Sequence, residues 1–147
     1  MMKKLSSIIL ASLFLLGCNQ TPAPVSINVP HAEGKVYVDN NKYKMELGEY
    51  EWEEEKVEQK RIDEVSVKEA AEAFDTLEVT KDSTVKIKIE EEPVTISVNQ
   101  WNEDQSVHKV ELTNDKLPLP TTGYYIYEII AEWDKGRITY VFDVNVS

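Results

Sequence analysis

The sequence predicts a mainly β domain, with antiparallel strands packed as a two-sheet sandwich and one short helix. Three observations carry that expectation. Apolar and polar residues alternate in short runs from Gly34 onward, as half-buried strands require. Turn-forming residues punctuate those runs roughly every 8–12 positions, the spacing of sandwiches and barrels. Near the C-terminus, two long amphipathic stretches flank Asp134-Lys135-Gly136. The alternative fold is an α+β domain with the helix lying across a single curved sheet.

The chain opens on Met1-Met2-Lys3-Lys4, a basic start, followed by an apolar run over residues 5–16 that includes small Ser6, Ser7, Ala11 and Ser12. That run is too short to cross ~30 Å of hydrocarbon, which takes about 20 apolar residues. Its basic flank and small residue before a cut site fit a secretory leader. Leu15-Leu16-Gly17-Cys18 resembles the bacterial lipobox at all four positions. The resemblance implies cleavage between Gly17 and Cys18, a diacylglyceryl group on the Cys18 sulfur, and acylated Cys18 as the mature N-terminus of a lipoprotein. Each buried methylene contributes about 0.8 kcal/mol, so two acyl chains hold a protein at a bilayer where one holds it marginally. The expected location is the extracytoplasmic face of the bacterial cell membrane. The expected organisation is a signal peptide over 1–17, a lipidated N-terminus and spacer over 18–33, and a β domain over 34–147.

Residues 19–30 carry Pro22, Pro24 and Pro30 among polar residues and read as an extended spacer. Val25, Ile27 and Val29 alternate there, a weak edge-strand pattern. Val36 and Val38, the turn chemistry of Asp39-Asn40-Asn41, and then Tyr43, Met45 and Leu47 predict a hairpin. The run from Gly48 to Trp52 is read as its continuation. Residues 53–64 are highly charged and hold no clean stripe at either period, so a solvated loop or frayed element is expected. Ser66-Val67-Lys68-Glu69 has the form of a reciprocal helix cap. Val67, Ala70, Ala71 and Phe74 then fall on one face of a two-turn helix that must pack on the sheet.

Val85, Ile87 and Ile89 alternate with lysines, Glu90-Glu91-Glu92-Pro93 breaks the pattern, and Val94, Ile96 and Val98 resume it. A polar turn over 102–106 and a short strand holding Val110 and Leu112 follow. In the C-terminal hairpin Tyr125, Tyr127, Ile129, Ala131 and Trp133 face one way. Ile138, Tyr140, Phe142, Val144 and Val146 repeat the alternation opposite Thr139, Asp143 and Asn145. Gly136 is expected to take a left-handed turn conformation, and these two strands to be central in one sheet.

Gly123-Tyr124-Tyr125-Ile126-Tyr127 resembles the Gly-x-Tyr-x-Cys segment of immunoglobulin-like domains. The resemblance implies an immunoglobulin-like sandwich with Tyr125 as the corner tyrosine, its hydroxyl bonding back to the backbone. Tyr127 stands where the disulfide cysteine would be and Thr121 where an aspartate is usual, so the relative is disulfide-free. The mature chain also resembles small uncharacterised lipoproteins of Gram-positive bacteria that carry such a domain.

With 16 basic and 27 acidic residues the net charge is −11; loss of Lys3 and Lys4 leaves 14 basic and 27 acidic residues, or −13. So acidic a chain is repelled by nucleic acid and by anionic headgroups, which excludes both as expected partners. Cys18 is the one cysteine, so with it lipidated no disulfide, thiolate nucleophile or cysteine metal site remains.

Leu119-Pro120-Thr121-Thr122-Gly123 matches the sortase sorting signal letter for letter. Glu128, Glu132 and Asp134 interrupt the apolar span such a signal needs, and cleavage there would delete the two best strands, so the stretch is read as a turn into a strand. The clusters Glu51, Glu53, Glu54, Glu55 and Glu90, Glu91, Glu92 lack the converging loop calcium requires and read as solvated faces. His31 and His108 have no zinc-ligand spacing, and no nucleophile elbow or phosphate-binding glycine loop is present. Trp133 is assigned to the packed face of its strand; Trp52 and Trp101 are the better candidates for stacking on wall sugars. No catalytic set, cofactor site or metal site is therefore assigned, and Cys18 lipidation is the one site. The expected function is a non-enzymatic binding or accessory module at the membrane–wall interface, held to the membrane by Cys18 and facing a protein partner. The alternatives are a wall-directed hydrolase, or a sugar-binding protein, whose carboxylates meet only in the fold.

Overall fold

The computed structural model of the chain describes residues 32–54, 57–60 and 66–147. Cys18, the lipobox, the spacer and His31 lie outside the described residues. Two sheets pack face to face, as the alternation requires, rather than one curved sheet. The smaller is ordered β2-β1-β6-β9, from Asn41–Lys44, Gly34–Val38, Val85–Ile89 and Lys116–Leu117. The larger is ordered β4-β3-β11-β10-β7-β8, from Val57–Lys60, Glu46–Glu54, Gly136–Val146, Gly123–Trp133, Thr95–Asn102 and Val107–Val110. A three-residue strand, β5 (Leu77–Val79), joins β11 in parallel beside Val144–Val146.

The strands with strict alternation form the core. Val36 and Val38 on β1, Val85, Ile87 and Ile89 on β6, and Tyr127, Ile129 and Ala131 on β10 are buried. They meet Ile138, Tyr140, Phe142, Val144 and Val146 from β11. The Tyr127 and Phe142 rings stack with centroids 5.2 Å apart. Gly34 permits a close approach between the sheets: a Cβ there would sit 2.6 Å from the Tyr140 ring. The Tyr140 hydroxyl donates to the Ala32 carbonyl and fixes where the chain joins the sandwich.

Several local expectations are corrected. Asp39 (φ 47°) and Asn40 (φ 74°) make the first hairpin turn, with both central residues left-handed as a type I′ turn demands. That hairpin ends at Lys44, however. Met45 is buried, and the chain changes sheets there, so Gly48 and Tyr50 belong to a strand of the larger sheet. Val57–Lys60, inside the region read as a charged loop, pairs antiparallel with β3. The next short strand holds Val110 but stops short of Leu112. The last hairpin turns through Asp134 and Lys135 alone, because Gly136 already pairs with Trp133. The glycine with positive φ (150°) is Gly123 instead.

The helix forms as its cap predicts. Within α1 (Val67–Ala73) the Glu69 amide donates to Ser66 Oγ at 3.2 Å, and the Ser66 amide donates to Glu69 Oε2 at 3.4 Å. Its Ala70 and Ala71 seat on Val141, with Ile126 beside them, on the outer face of the larger sheet. Phe74 leaves that face and meets Phe142 edge-on in the main core, with centroids 6.3 Å apart. On the same outer face lies Asp143, which alternation alone assigns to solvent; the residue is 2% exposed. Its Oδ2 accepts from the Tyr124 and Thr76 hydroxyls, while Oδ1 is buried with no hydrogen-bond partner. Desolvation raises its pKa above the usual carboxylate range.

The registers give the sandwich two distinct ends. Gly34 pairs with Ile89, Val94 N–H donates to the Glu132 carbonyl at 2.7 Å, and Trp133 Nε1 donates to the Glu91 carbonyl at 3.2 Å. The first β residues, the 90–94 loop and the last hairpin turn therefore share one end. The turns at 39–40 and 103–106, and the 118–122 segment, lie at the other.

Candidate functional site

At the end remote from Gly34, a pocket of about 460 Å³ opens between the 103–106 turn and the 120–123 segment. Both walls are locked by local bonds. Asn102 N–H donates to the Ser106 carbonyl at 2.9 Å and Gln105 N–H to the Asn102 carbonyl at 3.0 Å, with Gln105 left-handed (φ 68°). The Asp104 carboxylate accepts from the Ser106 amide at 2.9 Å, which closes an Asx turn. On the opposite wall the Tyr125 hydroxyl donates to the Thr121 carbonyl at 2.9 Å, the corner bond implied by the immunoglobulin-like resemblance. A Cβ on Gly123 would stand 3.2 Å from that hydroxyl, so the segment needs glycine both for its φ and for space.

A one-way chain of hydrogen bonds runs from the core to the pocket rim. Tyr127, fully buried, donates to Gln100 Oε1 at 3.1 Å, and Gln100 Nε2 donates to Asn102 Oδ1 at 2.9 Å. Asn102 Nδ2 donates to Ser106 Oγ at 2.9 Å, and Ser106 Oγ donates to Asp104 Oδ1 at 2.5 Å. Each donor polarises the next, and a carboxylate is the natural terminus of such a chain. The Ser106 bonds hold the Asp104 carboxyl below the usual carboxylate range, and nearby His108 adds to this. Burial pushes the Tyr127 phenol well above its ordinary range, so it stays a donor. An ionised carboxylate with a lowered pKa is a weak base toward the Ser106 hydroxyl. The arrangement suits accepting hydrogen bonds from a ligand better than moving protons.

Beside Asp104 on the rim, Glu103 accepts from the Tyr124 amide at 3.3 Å, and exposed His108 also lines the pocket. The residues singled out by sequence are thus split up. His108 comes here and His31 lies outside the described residues. Trp101 stands opposite Ile126 on the outer face of the larger sheet, half-buried, its Nε1 buried and without a hydrogen-bond partner. Trp133 packs against the core as expected. Trp52 falls in β3, where its side chain lies outside the described residues. Glu90, Glu91 and Glu92 form an exposed loop in which Glu90 accepts from Lys35 Nζ at 2.7 Å. Among the described residues no group of three or more His, Cys, Asp or Glu side chains could hold a metal ion. The sorting-signal look-alike supplies a pocket wall, and Leu119 within it packs on the core.

Asn102 and Ser106 were legible in sequence only as ends of a polar turn, and Gln100 was not singled out. Their linkage depends on Tyr127 pointing inward from the neighbouring strand, which no local pattern encodes. Comparison with protein-family models, curated proteins and solved structures yields no match to this chain.

Proposed function

We propose that this chain is a lipid-anchored, extracytoplasmic binding module of immunoglobulin-like type, held at the bacterial membrane through Cys18 and acting without catalysis. One observation carries the reading: the strand that follows the spacer begins at one end of the sandwich, and the polar pocket opens at the other. A domain tethered through residues 18–33 presents that pocket away from the bilayer, toward the wall. Strand β1 pairing with β6, β6 with β9, β7 with β10, and β10 with β11, together with the Tyr125 corner, support the immunoglobulin-like assignment.

In-cell crosslinking of the anchored protein, followed by mass spectrometry, tests it beside Cys18→Ser and Asp104→Asn. One dominant protein partner, lost in Cys18→Ser and depleted in Asp104→Asn, is the expected result. Recovery of wall fragments alone, or of nothing, overturns it. A second reading, a wall-directed hydrolase, draws on Glu103 and Asp104 sharing one concavity. Both carboxylates already accept bonds from the backbone, and the Ser106 bonds favour the ionised form of Asp104, whereas glycoside cleavage needs an acid held protonated. Release of soluble muropeptides from purified wall, abolished by Asp104→Asn, would favour that reading instead.

A further inference from the structure

A second concavity lies on the flank of the sandwich, at the end near Gly34. Both sheets stop short at the same corner. Strand β9 covers only Val85 and Lys86 of β6; Ile87 N–H still finds the Asp115 carbonyl at 3.0 Å, and beyond it no described strand lies on that side. Strand β8 covers Val98–Trp101 of β7, whereas Thr95, Ile96 and Ser97 pair with β10 on one side and with no described strand on the other. Between the two short edges runs a groove of about 720 Å³.

The consequence for the core is direct. Ile96 and Val98 both face inward, opposite Ala131 and Ile129, yet Val98 is 1% exposed and Ile96 is 36% exposed. The difference is β8, which places Val110 against Val98 and ends before reaching Ile96. Val94, at the rim, is 69% exposed. Leaving an inward-facing isoleucine open to water forgoes burial that one more strand would supply.

Edge strands are usually protected against unwanted pairing, lysine being a common guard. Two edges here follow that rule: exposed β2 carries Lys42 and Lys44, and exposed β8 carries Lys109. The free edge Thr95-Ile96-Ser97 carries no charge. An unguarded edge beside an unfilled core groove is the geometry of strand addition, in which backbone pairing supplies affinity and alternate side chains enter pockets.

We infer that this groove receives an extended segment of a partner protein, which pairs along Thr95–Ser97 and alternates apolar and basic residues. Its apolar side chains would enter against Val94 and Ile96, the exposed apolar side chains of the groove. The basic character follows from charge. Glu92, Glu111 and Asp115 line the groove against Lys88 and Lys109, Glu90 is engaged by Lys35, and the whole chain carries −11. This surface is separate from the end pocket, and the inference does not depend on it.

The test uses the mature chain from residue 18 with Cys18→Ser, and a fluorescent heptapeptide of alternating lysine and valine. The comparison probes are a peptide of the same composition with its lysines and valines in two blocks, and an alternating glutamate–valine peptide. Saturable binding of the alternating lysine–valine peptide is expected, with about tenfold or greater loss for either comparison peptide, because pattern and charge sign both enter the fit. Amide exchange should slow at Thr95–Ser97 and not at the 103–106 turn. Ile96→Lys should abolish binding, and Val94→Lys, at an exposed side chain, should weaken it without shifting Tm. Equal affinity for the block peptide, protection elsewhere, absence of binding, or a concentration-dependent dimer that occupies the groove would each overturn the inference.

Discussion

The two faces of β11 bury residues by different means. Inward, Ile138, Tyr140, Phe142, Val144 and Val146 are each 1% exposed or less. They are covered by the opposite sheet, and strict alternation announces them. Outward, Val141 is fully buried and Asp143 nearly so, while Asn145 on the same face is exposed. Val141 is covered by Ala70 and Ala71 of a helix of seven residues, α1, which a serine–glutamate cap starts, whereas Asp143 meets Tyr124 and Thr76. Alternation therefore identifies the face that meets the other sheet. It is silent on whether a separate element covers the reverse face.

The largest effect is expected on the inner face. Phe142→Ala removes a ring that stacks on Tyr127 and meets Phe74, and should cost about 3–5 kcal/mol in urea unfolding. Next comes a direct comparison of faces, Val144→Ala against Val141→Ala. Each removes two methyl groups from a fully buried site, and each should cost about 2 kcal/mol. A cost for Val141→Ala well below that of Val144→Ala would show that α1 does not exclude water from the outer face. Ser66→Ala comes third, at about 1 kcal/mol for the lost cap. Combined with Val141→Ala it should be less than additive, since both act on the seating of one helix.

The same contrast explains what was legible in the sequence. Strands of the core announced themselves through period two, and the helix through its cap and its alanines. Strand β4 did not, because Val57-Glu58-Gln59-Lys60 is four residues long with one apolar residue, too little for a period to register, and its place shows only in its pairing with Glu51–Glu54. Strand β5 is three residues long, too short for any period to register, and its parallel pairing with β11 is set only in the tertiary fold. Tyr43, Met45 and Leu47 alternate without a break across the point where the chain leaves one sheet for the other. The switch at Met45 was therefore invisible. The end pocket was half legible: its two walls read as turns, but the bonds from Tyr127 to Asp104 cross from strand to strand and then around a turn. The flank groove was not legible at all, since it exists because β8 and β9 are short.

The smallest expected effect is also the most specific to the outer face. Asp143 is buried with one carboxylate oxygen taking the Tyr124 and Thr76 hydroxyls and the other unpartnered, and desolvation is the main cause of its raised pKa. A folded-state pKa above the unfolded one means that the native protein binds the extra proton. This group's contribution to stability is then largest below its unfolded pKa and is lost as pH rises through the folded value. A protonated Asp143 can keep Oδ2 as acceptor for Tyr124 and Thr76 and leave a neutral buried group. Asp143→Asn mimics that state at every pH. Urea unfolding at a series of pH values should show the native chain losing stability upward from the ordinary carboxylate range, with Asp143→Asn flattening that slope. Thr139→Val, on the same outer face, should leave the slope intact. A slope unchanged in Asp143→Asn would mean that the ionised carboxylate is already compensated on this face by the groups around it.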